Sequence, residues 1–266
     1  MIDTVSLRAL EALLCRCSDE KVRLAKSLQD DVQAGRVAFR HDDDPLTVCE
    51  AGRPELPLLV AAQEVPRRRV GSREGHAALL HAIAHIEFNA INLALDCVYR
   101  FASLPDDFYT GWVGVAAEEA YHFDLVRNRL RALGFDYGSF PAHNGLWEMA
   151  VKTAADPLAR MALVPRVLEA RGLDATPLII EKLRSIGDLE SVAILDIILR
   201  DEVGHVALGD YWFRLFCGLA GLDPEPTYLR LIDQFDAPWP HPPLHEAARL
   251  LAGFSPAEIE RLSRMR

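Results

Sequence analysis

The chain has 266 residues, of which 50% are apolar and 26% are charged, as in an ordinary soluble globular protein. A chain of this length can bury a substantial hydrophobic core, so no disulfide is needed to stabilise the fold. The formal net charge of −10 argues against a protein that binds nucleic acid through a basic surface. The one basic cluster, Arg67, Arg68 and Arg69 with Arg73 close by, is more typical of a solvated loop.

The five cysteines form no CxxC pair, and their odd number and scattered spacing argue against a disulfide framework. The N-terminal residues show no basic segment followed by an apolar stretch, so no signal peptide is expected. No run of about 18 apolar residues suggests a membrane span. We therefore expect a cytoplasmic protein with reduced thiols and no membrane partner. The cysteines are Cys15, Cys17, Cys49, Cys97 and Cys217.

Residues 1–72 are predicted to form N-terminal helices followed by an irregular arm. Leucines recur at helical spacing over the first 35 residues, and Ser18 and Asp19 are expected to divide this stretch into two helices. From about Phe39 to Ser72 the periodicity is lost, and prolines and glycines accumulate. Loops of this length are often functional or wrap around a body, so we expect the arm to pack on the rest of the chain.

Residues 73–221 are predicted to contain four long helices. At about 1.5 Å per residue, each would span roughly 40–48 Å. The connection between the second and third helices could cross the length of a bundle, and a short helix is predicted within it, from Leu146 to Lys152. Glycines at 134, 187 and 221 are expected to end the last three helices. The predicted bounds are about 73–102, 106–133, 157–186 and 189–220.

Residues 222–266 are predicted to form a proline-rich helical cap. Its last helix is expected to start at Ser255, because Glu258 follows at the spacing of a capping box. No segment has the alternating pattern of a convincing strand, so the predicted fold class is all-α. Within the third long helix, Pro165 is predicted to cause a kink or a π-bulge.

Four glutamates fall on the buried-looking faces of the four long helices. Glu87 has only isoleucine and alanine three and four residues away, and Glu119 and Glu202 also lie in apolar stripes. The neighbours of Glu169 are more mixed. A carboxylate buried without a partner costs several kcal/mol, an order-of-magnitude estimate. Four of them are tolerable only if cations lie between them.

The spacing of these residues points to a pair of metal ions. The motif Glu-x-x-His occurs twice, within EEAYH (118–122) and DEVGH (201–205), and residues three apart on a helix can reach one ion. A lone glutamate precedes each motif's glutamate by nearly the same distance, 32 residues in the first half and 33 in the second. This ligand set matches that of ferritin-like di-metal bundles. The six predicted ligands are Glu87, Glu119, His122, Glu169, Glu202 and His205.

Acidic residues next to the two motifs are candidates to orient the ligands. A metal-bound histidine usually donates its other N–H to a carboxylate. We therefore expect Asp201 to orient His122 and Glu118 to orient His205. The alternative for Glu118 is that it is merely exposed.

The chain resembles an uncharacterised bacterial family of ferritin-like proteins within the ferritin-like di-iron carboxylate superfamily. The likeness covers nearly the whole chain, including VPRRR and the N-terminal helices, and it implies a ferritin-like four-helix bundle. A more distant likeness, based on the ligand pattern, is to the di-iron hydroxylase of a hypermodified tRNA base. The segments that carry the family resemblance are HAIAHIEFNAINLALD, EEAYHFDLVRNRL, LEARGLDATP and RDEVGHVALGDYWF.

Three further residues could contribute near the predicted site. His81 and His85 are four apart on the first long helix, and His85 is only two residues from Glu87. Since that spacing points His85 to a different face, a packing or hydrogen-bonding role is favoured for both histidines. Tyr121 adjoins His122 and could lie near the metals, although packing in the core or at the surface is favoured.

We expect two iron ions as cofactors, with manganese as the alternative, because carboxylates and imidazoles suit both metals. Either Glu87 and Glu169 or the two motif glutamates would bridge them. The favoured function is an O₂-dependent oxidase or hydroxylase of a small substrate, since storage ferritins do not need such long appendages. The alternatives are a non-catalytic iron-binding or ferroxidase protein and a tRNA-modifying hydroxylase. We expect a monomer or small homo-oligomer rather than a cage.

Overall fold

The computed structural model describes residues 4–39, 47–66 and 68–264. Within these ranges the chain is all-α: helices are joined by turns and loops, and the only β-type pairings described are two isolated bridges, Thr4 with Ala38 and Leu59 with Ala142. The all-α prediction is therefore confirmed. Arg67 of the predicted basic cluster and residues 40–46 of the predicted arm lie outside the described residues.

The chain divides into two compact units, Met1–Glu148 and Met149–Arg266, with the boundary inside a short helix, Gly145–Lys152 (α5). The predicted division into 1–72, 73–221 and 222–266 stays a prediction. The main helices of the first unit are α1 (Val5–Leu14), α2 (Ser18–Gln33), α3 (Arg73–Arg100) and α4 (Asp106–Ala132). Those that follow α5 are α6 (Pro157–Leu163), α7 (Ala170–Ser185), α8 (Leu189–Leu219), α9 (Pro224–Gln234), α10 (Glu246–Leu251) and α11 (Pro256–Arg264).

In the first unit, α3 packs along α4, while α1 packs against α3 and α2 packs against α4. The predicted break between the N-terminal helices is confirmed, since α1 ends at Leu14 and α2 begins at Ser18. The start of α3 is fixed by Ser72, whose hydroxyl accepts a hydrogen bond from the Gly75 N–H. The arm then pairs with the connection after α4, because Val60 N–H donates to the carbonyl of Ala142 at 2.9 Å.

The long helix α3 is apolar enough, by length and composition, to cross a membrane. However, 78% of the residues in its most apolar window are buried inside the fold. The core helix of a soluble protein has these properties, so the finding is weak evidence for a membrane span.

In the second unit, α8 is the central helix and contacts α6, α7, α9 and α10. Between α6 and α7 the chain forms π-helical turns from Val164 to Glu169, which confirms the distortion predicted at Pro165. The ring of Pro165 packs closely against α8 at Gly209, where a Cβ atom would lie 2.2 Å from Pro165 Cγ. Glycine is therefore needed on α8 for the π-helical segment to lie where it does.

The predicted helix ends agree with the structure. Gly134, Gly187 and Gly221 each adopt a positive φ just after α4, α7 and α8, as the glycine signals predict. The capping box before α11 is also formed: Ser255 N–H donates to the Glu258 carboxylate at 2.8 Å, and Glu258 N–H donates to the Ser255 hydroxyl at 3.0 Å.

Candidate metal centre

Helices α3 and α4 bring three of the predicted ligands together in the first unit. Glu87 lies 13 residues before the end of α3, and Glu119 lies 13 residues after the start of α4. The two helices are joined by a short loop and pack side by side, so both glutamates lie about 20 Å from the connection. His122 follows Glu119 by three residues and therefore shares its face of α4.

The three side chains are in mutual contact and shielded from solvent. His122 Nδ1 lies 3.3 Å from Glu87 Oε2 and 3.5 Å from Glu119 Oε2. Glu119 and His122 are fully buried, and Glu87 is 3% exposed. Two carboxylates and an imidazole thus converge inside an apolar environment, which is the arrangement predicted from the sequence.

The electrostatics of this triad show how strongly it favours positive charge. Burial raises the pKa of Glu87 to about 8, and the neighbouring carboxylate of Glu119 acts in the same direction. Burial alone would lower the pKa of His122, but hydrogen bonding and attraction to Glu119 and Glu87 outweigh it and raise that pKa to about 11. In the absence of a metal ion the triad therefore retains protons. A bound cation would take the place of those protons and release them.

The second unit carries the other half of the predicted ligand pattern. Glu202 and His205 lie on α8 and are both buried, with His205 Nδ1 4.0 Å from Glu202 Oε2. Glu202 is 13 residues after the start of α8, the same position that Glu119 occupies in α4. Glu169 is the last residue of the π-helical segment and is half-buried.

The donor atoms present fit a metal ion. Glu87, Glu119 and His122 of the first unit are buried and could hold one. Carboxylate oxygens and imidazole nitrogens suit iron or manganese, whereas a structural zinc site would usually contain thiolates. The buried cysteines Cys97 and Cys217 take no part in this group.

The residues predicted to orient the histidines are placed as follows. Asp201 is partly buried and accepts hydrogen bonds from its neighbour Arg200, at 2.8 and 3.1 Å. Glu118 is exposed on α4. The roles of Asp201 toward His122 and of Glu118 toward His205 stay predictions.

The other predicted near-site residues lie on different faces. Tyr121 is 44% exposed, and its ring centre lies 6.2 Å from that of His122. His85 uses both ring nitrogens elsewhere: Nε2 lies 3.0 Å from the carbonyl oxygen of His143, and Nδ1 lies 2.9 Å from the hydroxyl of Tyr137. His81 Nε2 accepts a hydrogen bond from Gly138 N–H. The hydrogen-bonding role favoured for these two histidines is confirmed.

Sequence reasoning missed a buried arginine in the π-helical segment. The Arg166 guanidinium is fully buried and lies 2.9 Å from the Asp210 carboxylate and 2.6 Å from that of Glu258. It also lies 4.2–4.6 Å from the ring centres of three aromatic side chains, those of Phe213, Tyr228 and Phe254. No local signal marks Arg166, because its partners are 44 or more residues away in the chain.

Comparison with known proteins supports a single family for nearly the whole chain. Residues 14–260 match the family described as "Protein of unknown function (DUF455)". An "Uncharacterized protein" of Haemophilus influenzae is 46% identical over 251 residues, which cover 91% of this chain and 87% of that protein. No solved structure matches the chain. The chain therefore belongs to the DUF455 family.

Proposed function

We propose that this protein is a di-metal carboxylate protein that binds two iron ions and uses O₂ to oxidise or hydroxylate a small substrate. The observation that carries the proposal is the buried triad of Glu87, Glu119 and His122. The same ligand pattern recurs in the second half. In the proposal, α3, α4, the α6–α7 segment and α8 form a ferritin-like four-helix bundle, and all six predicted residues are ligands.

The charges of the proposed ligands balance two ferrous ions. Four carboxylates supply four negative charges, while the two histidines coordinate as neutral imidazoles. Two Fe²⁺ ions with this ligand set would be neutral overall, which favours loss of electrons to O₂. When bound, the metal pair would supply the reducing power for O₂ chemistry.

The protein's own contribution would be to place the ligands and exclude bulk water. On α4 the neighbours of Glu119 and His122 include Trp112, Val115 and Phe123, all of which are buried. On α8 the neighbours of Glu202 and His205 include Ile198 and Val206, which are also buried. Such surroundings strengthen the attraction between the carboxylates and a cation, because little water remains to screen it.

Metal analysis of conservative ligand variants tests the proposal. We expect about two iron or manganese ions per wild-type chain, and a loss of at least half of that metal in Glu119→Gln and in Glu202→Gln. The reason is that an amide is a neutral and weaker ligand than a carboxylate. A matched control is Glu181→Gln, which alters an exposed carboxylate on α7 that pairs with Arg184. Metal content unchanged in the Glu119→Gln/Glu202→Gln double variant would reject the ligand assignment.

A second measurement separates catalysis from iron handling. Anaerobically reduced protein is exposed to O₂, and O₂ uptake is followed with and without added Fe²⁺. Uptake that is limited to the bound metal supports an oxidase or hydroxylase, whereas continuing turnover of added Fe²⁺ supports a ferroxidase. Particle mass adds an independent criterion, since a cage of many subunits would favour storage over the proposed function.

A further inference from the structure

A second row of polar residues runs along α3, on the side opposite Glu87. These residues recur at intervals of three or four, so at 3.6 residues per turn they share one face of the helix. All five are buried. Glu87 lies about half a turn away from this row and contributes to the opposite face. The polar row consists of His81, His85, Asn89, Asn92 and Asp96.

Distant segments of the first unit cover this polar row and supply hydrogen-bond partners for several of its side chains. Lys21 of α2 donates a short hydrogen bond to Asn92 Oδ1 and a second bond to the carbonyl of Leu13, at 2.8 Å. Asp96 pairs with Arg100, which in turn donates to the carbonyl of Val48 in the arm. The row therefore lies beneath the arm and the N-terminal helices.

A cavity of about 60 Å³ remains between the middle of this row and the arm. At about 10–15 Å³ per water position, it could hold roughly four to six water molecules or a compact ligand of similar size. Aromatic rings and a proline form its apolar walls. Residues that line it include Arg53, Phe88, Asn89, Asn92, Tyr137 and Trp147.

The polar groups of the cavity include donors that the fold leaves available. The Asn92 side chain uses its oxygen to accept from Lys21, and within the described part of the chain its amide nitrogen makes no hydrogen bond. Arg53 is half-buried and uses one guanidinium nitrogen to donate to the carbonyl of Pro54 at 3.2 Å. Its other N–H groups are available to a ligand in the cavity.

The charge of Arg53 acts inside the cavity rather than only at the surface. Burial lowers the pKa of His85 to about 4, and the positive charge of Arg53 contributes to this shift. Burial raises the pKa of Tyr137, and the attraction of Arg53 for the phenolate opposes that rise. The opposing charge at the cavity is that of Glu50, which is exposed to solvent and therefore better screened.

We propose that this cavity is a binding site for a small carboxylate of about four to six non-hydrogen atoms. The guanidinium of Arg53 can receive both carboxylate oxygens, since its planar N–H groups match that geometry. The amide nitrogen of Asn92 supplies a further donor. The short carbon chain of the ligand would lie against the rings of Phe88 and Trp147, which an inorganic anion could not use.

This site is separate from the proposed metal centre. The cavity adjoins the polar row of α3, whereas Glu87 lies on the opposite face, and neither Glu119 nor His122 lines it. The proposal therefore does not depend on metal binding and is tested by ligand binding alone.

Titration of the full-length protein with acetate, propionate and the isosteric amides acetamide and propionamide, monitored by ligand-observed NMR, tests the assignment. We expect the carboxylates to bind at least tenfold more tightly than the amides. Arg53→Gln should weaken propionate binding at least tenfold. The matched control Arg23→Gln removes an exposed arginine that pairs with Glu20 on α2 and should leave binding unchanged.

Intermolecular NOEs provide a second readout that needs no variant. Contacts between the propionate methyl group and the ring protons of Phe88 or Trp147 are expected if the ligand occupies the cavity. Equal binding of carboxylates and amides, full binding to Arg53→Gln, or NOEs to other residues alone would overturn the proposal. No detectable binding of either carboxylate would also overturn it and leave the cavity as a water site.

Discussion

The two compact units carry the same pattern of predicted ligands, but the packing around that pattern differs between them. In the first unit, α3 and α4 are regular helices, and the reverse side of α3 carries the polar row. In the second unit, the helix that carries Glu169 passes through π-helical turns, and Arg166 anchors those turns. Similar spacing of the predicted ligands therefore does not require similar surroundings.

The first unit keeps the two buried histidines of the polar row, His81 and His85, uncharged. Burial lowers the pKa of His81 to about 4, and its neighbour His85 adds to the shift. His81 accepts from a backbone N–H, and His85 is held between a hydroxyl group and a carbonyl. Neutral side chains can be buried by hydrogen bonding alone, which avoids most of the desolvation cost of a charge.

The π-helical segment of the second unit instead buries a charged side chain and neutralises it with two carboxylates. Arg166 is shared between Asp210 and Glu258, and Arg214 binds the same two carboxylates from the other side. Three aromatic rings surround the Arg166 guanidinium. A π-helical turn is less favourable than a regular one, so a strong external anchor accounts for its persistence at this position.

Removal of the Arg166 charge should cause the largest loss of stability. Arg166→Met is expected to destabilise the protein by about 3 kcal/mol or more, because two buried carboxylates lose a cation. The measurement is urea unfolding followed by circular dichroism. The control Arg184→Met removes an exposed arginine paired with Glu181 and should change stability by less than about 1 kcal/mol. Equal small losses in both variants would show that the π-helical segment needs no charged anchor.

Acidification should lower the free energy of unfolding, because it protonates the neutral buried side chain of His81. The folded-state pKa of His81, about 4, lies below its unfolded value of 6.5, so the unfolded chain binds more protons between these values. The contribution of His81 is thus fully present above pH 6.5 and is lost as pH falls toward 4, by up to about 3 kcal/mol. His81→Asn should reduce the difference in unfolding free energy between pH 7 and pH 4.5.

The control for this pH experiment is His241→Asn, which replaces an exposed histidine of the second unit. It should retain the pH dependence of the wild-type protein. If His81→Asn and His241→Asn behave alike, the neutral histidine in the polar row is not what links stability to pH.

The smallest expected change in stability comes from filling the narrow space between Pro165 and α8. Gly209→Ala would place a methyl group within 2.3 Å of two Pro165 side-chain atoms and should cost about 1–3 kcal/mol. Gly218→Ala, on the same helix but with open space around it, should instead stabilise α8 by up to about 1 kcal/mol. Thermal unfolding of both variants measures the contrast. A stabilising Gly209→Ala would mean that the π-helical segment shifts without cost.

Much of the local structure was predictable from short-range patterns. The predicted bounds of the four long helices differ from those of the structure by two residues or fewer, and Pro165 marked the π-helical turns. The grouping of Glu87, Glu119 and His122 was also predictable, because two helices joined by a short loop must run side by side. The location in the cell, the partners and the native metal stay predictions.

The buried polar networks could not be predicted, and the reason is physical. Lys21 is 71 residues from Asn92, and Arg166 is 92 residues from Glu258. Nothing in the local sequence distinguishes these side chains from exposed lysines and arginines. Their burial is tolerable only because a distant segment supplies the hydrogen-bond or charge partner.

The helices, their ends and the repeated spacing of acids and histidines could all be read from the sequence, because helical periodicity and capping act over a few residues. Tertiary packing, in contrast, sets which polar groups lose their water, how far the pKa values of Glu87, His122 and His81 shift, and where a cavity remains beneath the arm. Desolvation is a property of the packed chain, since it depends on every segment that covers a group.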